Sequence, residues 1–290
     1  MTSETTPETP ASEPPEPEKR ASRAGRDLPA AVGVGVSLVA VILASLFIVP
    51  KDAFVAVVVI ALGIGMIEIT RAFRTSGINV PLLPVLTGGS VMLVGAFYGG
   101  VETAAVAMAL TVIGTLIWRL SEGADGFVQD SSAGIFVLSY LPLMGVFVML
   151  MLDEKDGPWR IVAFIGATAA SDIGGYAAGV LFGKHPMAPT ISPKKSWEGF
   201  AGSLTVGMLG GVAAVHYGLD GHWWVGLILG AVVVTMATLG DLSESLIKRD
   251  IGIKDMGDLL PGHGGLMDRL DSLIAVAPFA WLILHYLVPA

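Results

Sequence analysis

Apolar segments of about 20 residues, the length that an α-helix needs to cross the hydrocarbon core of a bilayer, recur along the sequence after its first 27 residues. The composition agrees with this pattern, because 53% of the 290 residues are hydrophobic and only 14% are charged. The mean hydropathy is +0.72. In soluble domains about a quarter of the residues are charged. The sequence therefore predicts an integral membrane protein.

We predict an all-α fold with about nine transmembrane helices, counting one span for each apolar stretch of sufficient length. The spans are expected near residues 29–49, 52–70, 81–99, 101–119, 132–152, 159–182, 199–217, 223–247 and 266–288. Very short connections near Pro50 and Gly100 require antiparallel hairpins at those points. Residues 1–27 are rich in Pro, Glu, Ser and Thr, and we expect them to form a disordered tail.

Lysine and arginine are distributed unevenly between the two predicted sides. With nine spans, the tail shares a side with the connections after spans two, four, six and eight, and that side carries thirteen Lys or Arg residues. The opposite side carries three, which are Lys51, Lys155 and Arg160, while Arg269 lies inside the ninth span and is not counted. The positive-inside rule then predicts a multi-pass protein of the cell membrane with a cytoplasmic N-terminus and an external C-terminus.

Two further features of the composition limit the chemistry. The sequence contains no cysteine, which excludes disulfides, thiolate nucleophiles and cysteine-ligated metals. The formal net charge of −8 does not identify a partner, because six of the acidic residues lie in the first 27 residues. We expect no nucleic-acid partner.

Polar side chains follow one face of the eighth span and one face of the ninth. At i, i+3 and i+4 spacing, and also i+7 on the eighth span, lie Asp241, Glu244, Ser245 and Lys248, and then Asp268, Asp271 and Ser272. Both faces lie at the cytoplasmic depth of adjacent antiparallel spans, so they can face each other. Carboxylates brought together repel, and a hard cation such as Mg²⁺ relieves that repulsion. We therefore predict a Mg²⁺ site with Asp241, Asp268 and Asp271 as ligands.

A glycine-rich turn, PGHGG, precedes the ninth span. Backbone N–H groups at a helix N-terminus form an anion site, and Lys248, Arg249, Lys254 and Arg269 surround this one with positive charge. Metal-bridging carboxylates beside a phosphate site are the apparatus of phosphoryl or nucleotidyl transfer.

A second polar cluster lies in and after the sixth span. Asp172 lies within the apolar segment, and an intramembrane carboxylate is a functional candidate. The connection that follows carries Lys184, Lys194 and Lys195. Its three prolines predict that these lysines are presented from a loop rather than from a helix.

The segment from Ser245 to Asp271 is where the sequence resembles a known family. Its order, Ser, any, aliphatic, Lys-Arg, four, Lys-Asp, any, Gly, two, Leu-Pro, any, His-Gly-Gly, Leu, any, Asp-Arg-Leu-Asp, is similar to the signature of the phosphatidate cytidylyltransferase (CDP-diacylglycerol synthase) family. The upstream SDIGGY and SPKKSWEG also resemble family elements, and the resemblance extends from about residue 161 to the C-terminus. One departure is Ser196, where the family usually has threonine and where the hydroxyl is retained.

The resemblance implies a Mg²⁺-dependent reaction of phospholipid biosynthesis, in which CTP and phosphatidic acid give CDP-diacylglycerol and pyrophosphate. The lipid phosphate attacks the CTP α-phosphorus in line, without a covalent enzyme intermediate. The expected partners are CTP, phosphatidic acid and the lipid bilayer, and a homodimer is compatible with the sequence. In this interpretation residues 1–27 are the cytoplasmic tail, residues 28–152 the N-terminal transmembrane helices and residues 153–290 the catalytic region.

The candidate residues fall into three groups. The catalytic candidates are Asp172, Asp241, Lys248, His263 and Asp268. The substrate-binding candidates are Lys184, Lys194, Lys195, Ser196, Arg249, Lys254, Gly264, Gly265 and Arg269. The metal-binding candidates are Asp241, Asp268 and Asp271.

Structural roles compete with these functional ones. Asp172 can bind a neighbouring Ser or Tyr between helices, and His263 can serve only to fix its turn. Lys194 and Lys195 can be membrane-surface anchors. Glu68 and Arg71, three residues apart at the inner end of the second span, are interpreted as a pair that reaches to the membrane surface.

Two other functions remain open at this stage. A CTP-dependent lipid kinase of the polyprenol type would use similar carboxylates but would transfer the γ-phosphoryl group to an alcohol. A cation-coupled transporter would explain an intramembrane aspartate and glycine-interrupted spans, although it does not need the Lys-Asp and His-Gly-Gly elements. A CDP-alcohol phosphotransferase is disfavoured, because its characteristic aspartate spacing is absent.

Overall fold

The computed structural model describes residues 28–257 and 265–289, with side chains from residue 33 onward. The tail and the candidates His263 and Gly264 lie outside the described residues. In the described part the helices are α1 (Leu28–Phe47), α2 (Asp52–Thr75), α3 (Leu82–Leu120), α4 (Phe127–Tyr140), α5 (Pro142–Asp153), α6 (Gly157–Phe182), α7 (Trp197–Ala213), α8 (Trp223–Asp250) and α9 (Met267–Leu287). Strands β1 (Pro186–Ala188) and β2 (Ser192–Ser196) form an antiparallel hairpin between α6 and α7.

Seven helical segments of the described residues are long and apolar enough to cross a membrane. They are α2, α3, α4 together with α5, α6, α7 with its π-helical continuation Ala214–Gly218, α8 and α9. The apolar part of α1 whose side chains are described, Gly33–Phe47, is shorter. The predicted class, an all-α membrane protein, is confirmed.

Helix α3 reverses direction at Gly100, as the short connection in the sequence predicted. Gly100 has φ 66° and ψ −161°, which lies outside the helical region. A Cβ atom at Gly88 would collide with the side chain of Thr111, whereas these residues would be more than about 30 Å apart in a straight helix. The two halves of α3 therefore pack side by side as an antiparallel pair.

At one end of the bundle, cationic side chains bind the C-terminal ends of two helices. Lys51 Nζ donates to the carbonyls of Leu152 (2.7 Å) and Glu154 (2.6 Å) just where α5 ends. Arg160, of which only 1% is exposed, donates to the carbonyl of Leu284 at 2.6 Å. The last carbonyls of a helix lack intrahelical partners and carry partial negative charge, so a buried cation is stabilised there.

The opposite end gathers the remaining connections. Ser76 Oγ, after α2, donates to the carbonyl of Ile251, after α8, at 3.2 Å. The backbone N–H of Asn79 donates to Asp130 at 2.7 Å, and Asp130 also pairs with Arg119 at 3.0 Å. The connections after α2, α3 and α8 therefore lie on one side, which is the grouping that the span count predicted.

Glycines bring α6, α7, α8 and α9 unusually close together. A Cβ atom at Gly174 of α6 would lie 2.6 Å from the carbonyl oxygen of Gly202 on α7. A Cβ at Gly240 of α8 would lie 2.8 Å from the carbonyl oxygen of Asp271 on α9. Because such contacts exclude any side chain, the helix backbones that carry the polar residues approach each other directly.

Candidate active site

A cavity of about 650 Å³, here called the main cavity, lies between α6, α8 and α9 at the end of the bundle that contains Ser76 and Ile251. Its acidic lining residues are Asp172, Asp241, Glu244, Asp255, Asp268 and Asp271, and its basic ones are Lys248, Lys254 and Arg269. The structure thus brings the predicted polar faces of the last two spans together around one space.

Two smaller cavities adjoin the main cavity. The hairpin cavity, of about 200 Å³, lies between α6, α7 and the β-hairpin, and shares Asp172, Asp241 and Ser272 with the main cavity. The basic cavity, of about 390 Å³, shares Lys248 and Lys254 with it. The described lining of the basic cavity contains four basic residues and no acidic one, so this space suits an anion.

Lys248 joins the two helices across the main cavity. Its Nζ lies 2.8 Å from Glu244 Oε2, one turn earlier on α8, and 2.9 Å from Asp268 Oδ1 on α9. The side chains of Glu244 and Asp268 are only 1% and 9% exposed. Lys248 is therefore the counter-charge of two largely buried carboxylates, in addition to its predicted catalytic role.

Asp268 is held by the protein on both oxygens. Besides Lys248, its carboxylate accepts hydrogen bonds from the N–H groups of Met256 (3.2 Å) and Gly265 (2.9 Å). A carboxylate with these contacts fixes the backbone before α9, and its predicted metal ligation stays a prediction. Gly265, predicted to bind substrate, uses its N–H for this internal contact.

The N-terminus of α9 differs from the prediction of an open anion site. Glu68 of α2 accepts hydrogen bonds from Leu266 N (3.1 Å, Oε1) and Met267 N (2.8 Å, Oε2). Its residue is only 6% exposed. A carboxylate of the protein thus occupies the position expected for a phosphate, because the same N–H groups and the same helix dipole attract either anion. The interpretation of Glu68 as a surface partner of Arg71 is wrong.

Three acidic residues of the main cavity retain unused oxygen atoms. Asp241 pairs with Lys195 through Oδ2 at 2.6 Å, and its side chain is 39% exposed. Glu244 Oε1 is buried without a hydrogen-bond partner among the described residues. Asp271 is 7% exposed and accepts a hydrogen bond from Ser272 N through Oδ1 at 2.6 Å. A buried oxygen without a partner is costly, so it indicates a place for a cation or a donor group.

The segment after α6 folds as a short hairpin where the sequence predicted a loop. Lys194 and Lys195 lie on β2 and both line the hairpin cavity. Ser196 lines the same cavity and also caps α7, accepting a hydrogen bond from Gly199 N at 3.1 Å. Lys184 is exposed, and none of the three cavities includes it in its described lining.

Arg249 attaches the hairpin to α8. Its Nε donates to the carbonyl of Ile191 in the hairpin turn at 2.6 Å. Together with the Lys195–Asp241 pair, this contact holds the hairpin across the mouth of the cavities. The role predicted for Arg249, substrate binding, is therefore accompanied by a positioning contact.

Among the described residues, no group of three or more His, Asp or Glu side chains converges to form a complete metal site. Mg²⁺ commonly uses one or two carboxylates and completes its coordination with water and substrate phosphates. The donors present, Asp241, Asp271 and the unpartnered oxygen of Glu244, fit that mode of binding.

The fold and the site define a polytopic membrane protein with adjoining acidic and basic cavities, an arrangement suited to phosphate groups and their counter-ions. The chain belongs to the cytidylyltransferase family, whose profile matches residues 30–287.

Curated relatives cover nearly the whole chain. A phosphatidate cytidylyltransferase of Mycobacterium bovis is 41% identical over 285 residues, covering 94% of this chain and 93% of that protein. One from Mycobacterium leprae is 41% identical over 285 residues, covering 93% and 91%. One from Haemophilus influenzae is 36% identical over 175 residues, covering 58% and 51%.

Proposed function

We propose that this protein transfers CMP from CTP to phosphatidic acid, giving CDP-diacylglycerol and pyrophosphate. A phosphate oxygen of the lipid bonds to the α-phosphorus of CTP, and the bond to the bridging oxygen of the departing pyrophosphate breaks. The observation that carries this proposal is the junction of two cavities at Asp172, Asp241 and Ser272, with cations on both sides. Two negatively charged phosphate substrates can meet there.

The cations of the two cavities divide the binding work. Lys248, Lys254 and Arg269 of the main cavity bind the triphosphate of CTP, and Lys194 and Lys195 of the hairpin cavity bind the phosphate of the lipid. Placing both reactants at one junction converts a two-body encounter into an oriented one.

The hairpin cavity is suited to a lipid by its apolar rim as well as by its charge. Tyr176 of α6 lines this cavity and is 77% exposed. Phe200 of α7 lines it from the other side. In a bilayer this rim would contact acyl chains, so that a lipid enters sideways with its phosphate toward Lys195.

We further propose that Mg²⁺ supports this reaction, held by Asp241 and Asp271 with Glu244 nearby. When bound, the ion supplies neutralisation of the triphosphate charge. Asp241 must exchange its contact with Lys195 in order to bind the ion, which leaves Lys195 available to a phosphate. Asp268 keeps the α9 backbone in place through Met256 and Gly265.

The proposed topology has nine spans, counting α1 and the two halves of α3 separately, with the N-terminus cytoplasmic and the C-terminus external. Two of the three cations on the proposed external side have structural roles, because Lys51 and Arg160 bind helix carbonyls. The lysine-rich end that carries the cavities then faces cytoplasmic CTP. This arrangement supports an orientation based on the excess of Lys and Arg on that side.

Single-cysteine labelling is expected to support this topology, since the chain has no cysteine of its own. In intact cells, a cysteine at exposed Tyr286 should react with an impermeant maleimide, and one at exposed Lys184 should react only after permeabilisation. A detergent-solubilised sample controls for the reactivity of each thiol. Labelling of position 184 alone in intact cells would reverse the orientation.

CTP labelled at defined phosphorus atoms is expected to separate the candidate functions. With purified protein, phosphatidic acid and Mg²⁺, α-labelled CTP should yield labelled lipid, and γ-labelled CTP should yield labelled pyrophosphate. A lipid kinase would transfer the γ-label to a lipid alcohol and release CDP. A transporter would label no lipid from either nucleotide, and that result would overturn the proposal.

A further inference from the structure

The buried carboxylate of Glu68 lies in the N-terminal half of the chain but contacts the segment with the family signature. It accepts hydrogen bonds from two backbone N–H groups at the start of α9, Leu266 N at 3.1 Å and Met267 N at 2.8 Å. One charged side chain thus ties the second helix of the protein to the ninth.

The same carboxylate also fits against two glycines that flank the start of α9 in space. A Cβ atom at Gly257 would lie 2.5 Å from Glu68 Oε1, and one at Gly265 would lie 2.8 Å from Glu68 Oε2. A Cβ at Gly265 would in addition lie 2.8 Å from Gly257 N. Any larger residue at either position would displace the carboxylate, so the two glycines and the glutamate form one fitted contact.

The helix that Glu68 caps carries several side chains of the main cavity. Asp268, Arg269 and Asp271 lie within the first five residues of α9, directly after the capped N–H groups. A helix start that loses its cap frays or rotates, because its first N–H groups have no intrahelical partners. The cap on α9 therefore sets where these three side chains point.

We infer that Glu68 is a positioning residue of the proposed reaction, which acts by fixing the start of α9 and thereby the cavity groups Asp268, Arg269 and Asp271. The inference rests on the proposed cytidylyl transfer. It assigns a defined role in the site to the N-terminal helices, which the sequence interpretation treated as a membrane scaffold.

Glu68→Gln is expected to lower kcat about 10- to 100-fold while KM for CTP changes less than about threefold, because the substrate cations remain and their alignment is lost. Amide exchange in a peptide spanning residues 265–270 should accelerate about tenfold, since charge-assisted hydrogen bonds protect two of its N–H groups. Glu68→Asp keeps the charge and should retain more activity than Glu68→Gln.

Two further variants keep the test decisive. Arg71→Gln, at an exposed position one turn along α2, should leave kcat and exchange unchanged. Gly257→Ala leaves Glu68 intact but fills its space, and should reproduce the kcat loss even if Glu68→Gln fails to fold.

Equal losses in Arg71→Gln and Glu68→Gln, or unchanged exchange in Glu68→Gln and Gly257→Ala, would overturn the inference. An absence of labelled lipid with the wild-type protein would instead count against the proposed function, while the exchange measurement would still report on the cap.

Discussion

Replacing Asp241 with asparagine is expected to reduce turnover by about 10³-fold or more, equivalent to the several kcal/mol that charge neutralisation by a metal supplies in a transition state. Asp241 lies at the junction of the two cavities and has a 39% exposed side chain. Asparagine keeps the size and one oxygen but removes the charge. The measurement is formation of labelled lipid over a range of Mg²⁺ concentrations, with EDTA as the metal-free reference.

The control for this effect is Asp250→Asn, the same chemical change at an exposed position near the end of the same helix. It should leave turnover and its Mg²⁺ dependence near wild type. Lys195→Met tests the alternative that Asp241 serves only to hold the hairpin through its 2.6 Å ion pair. If Lys195→Met matches Asp241→Asn at every Mg²⁺ concentration, or if the wild type turns over fully in EDTA, Asp241 does not act through a metal.

Much of the fold followed from the sequence, because a bilayer sets both the length and the hydropathy of a spanning helix. The hairpin at Gly100 followed from a connection too short for anything else, and the structure confirms it. The two polar faces of α8 and α9 followed from helical spacing, and the contact between Lys248 and Asp268 confirms that they meet. The homodimer stays a prediction.

The parts that sequence could not provide depend on contacts between distant segments. Glu68 precedes Met267 by most of the chain, and no local spacing links them. Its burial in an apolar helix was a signal that it needed a buried partner, yet Arg71, one turn away, offered a simpler explanation. The β-hairpin was missed for a similar reason, since its prolines excluded a helix without indicating which residues would pair.

Replacing Lys248 with methionine is expected to destabilise the protein by about 3 kcal/mol, because breaking a buried ion pair leaves an uncompensated charge. Two carboxylates depend on this lysine, Glu244 with a side chain 1% exposed and Asp268 with one 9% exposed. Methionine has a similar length and keeps the packing. The thermal midpoint in detergent should therefore fall well below that of the wild type, and labelled-lipid formation should be lost.

The matched control is Lys254→Met, since Lys254 lines the same cavity but is exposed and near no recorded ion pair in the described part of the chain. It should weaken CTP binding while leaving the thermal midpoint unchanged. Adding Glu244→Gln to Lys248→Met removes one of the two stranded charges, so the double variant should regain part of the lost midpoint while remaining inactive. If Lys248→Met unfolds at the same temperature as Lys254→Met, Lys248 is not the counter-charge that joins α8 to α9, and its contacts serve substrate binding alone.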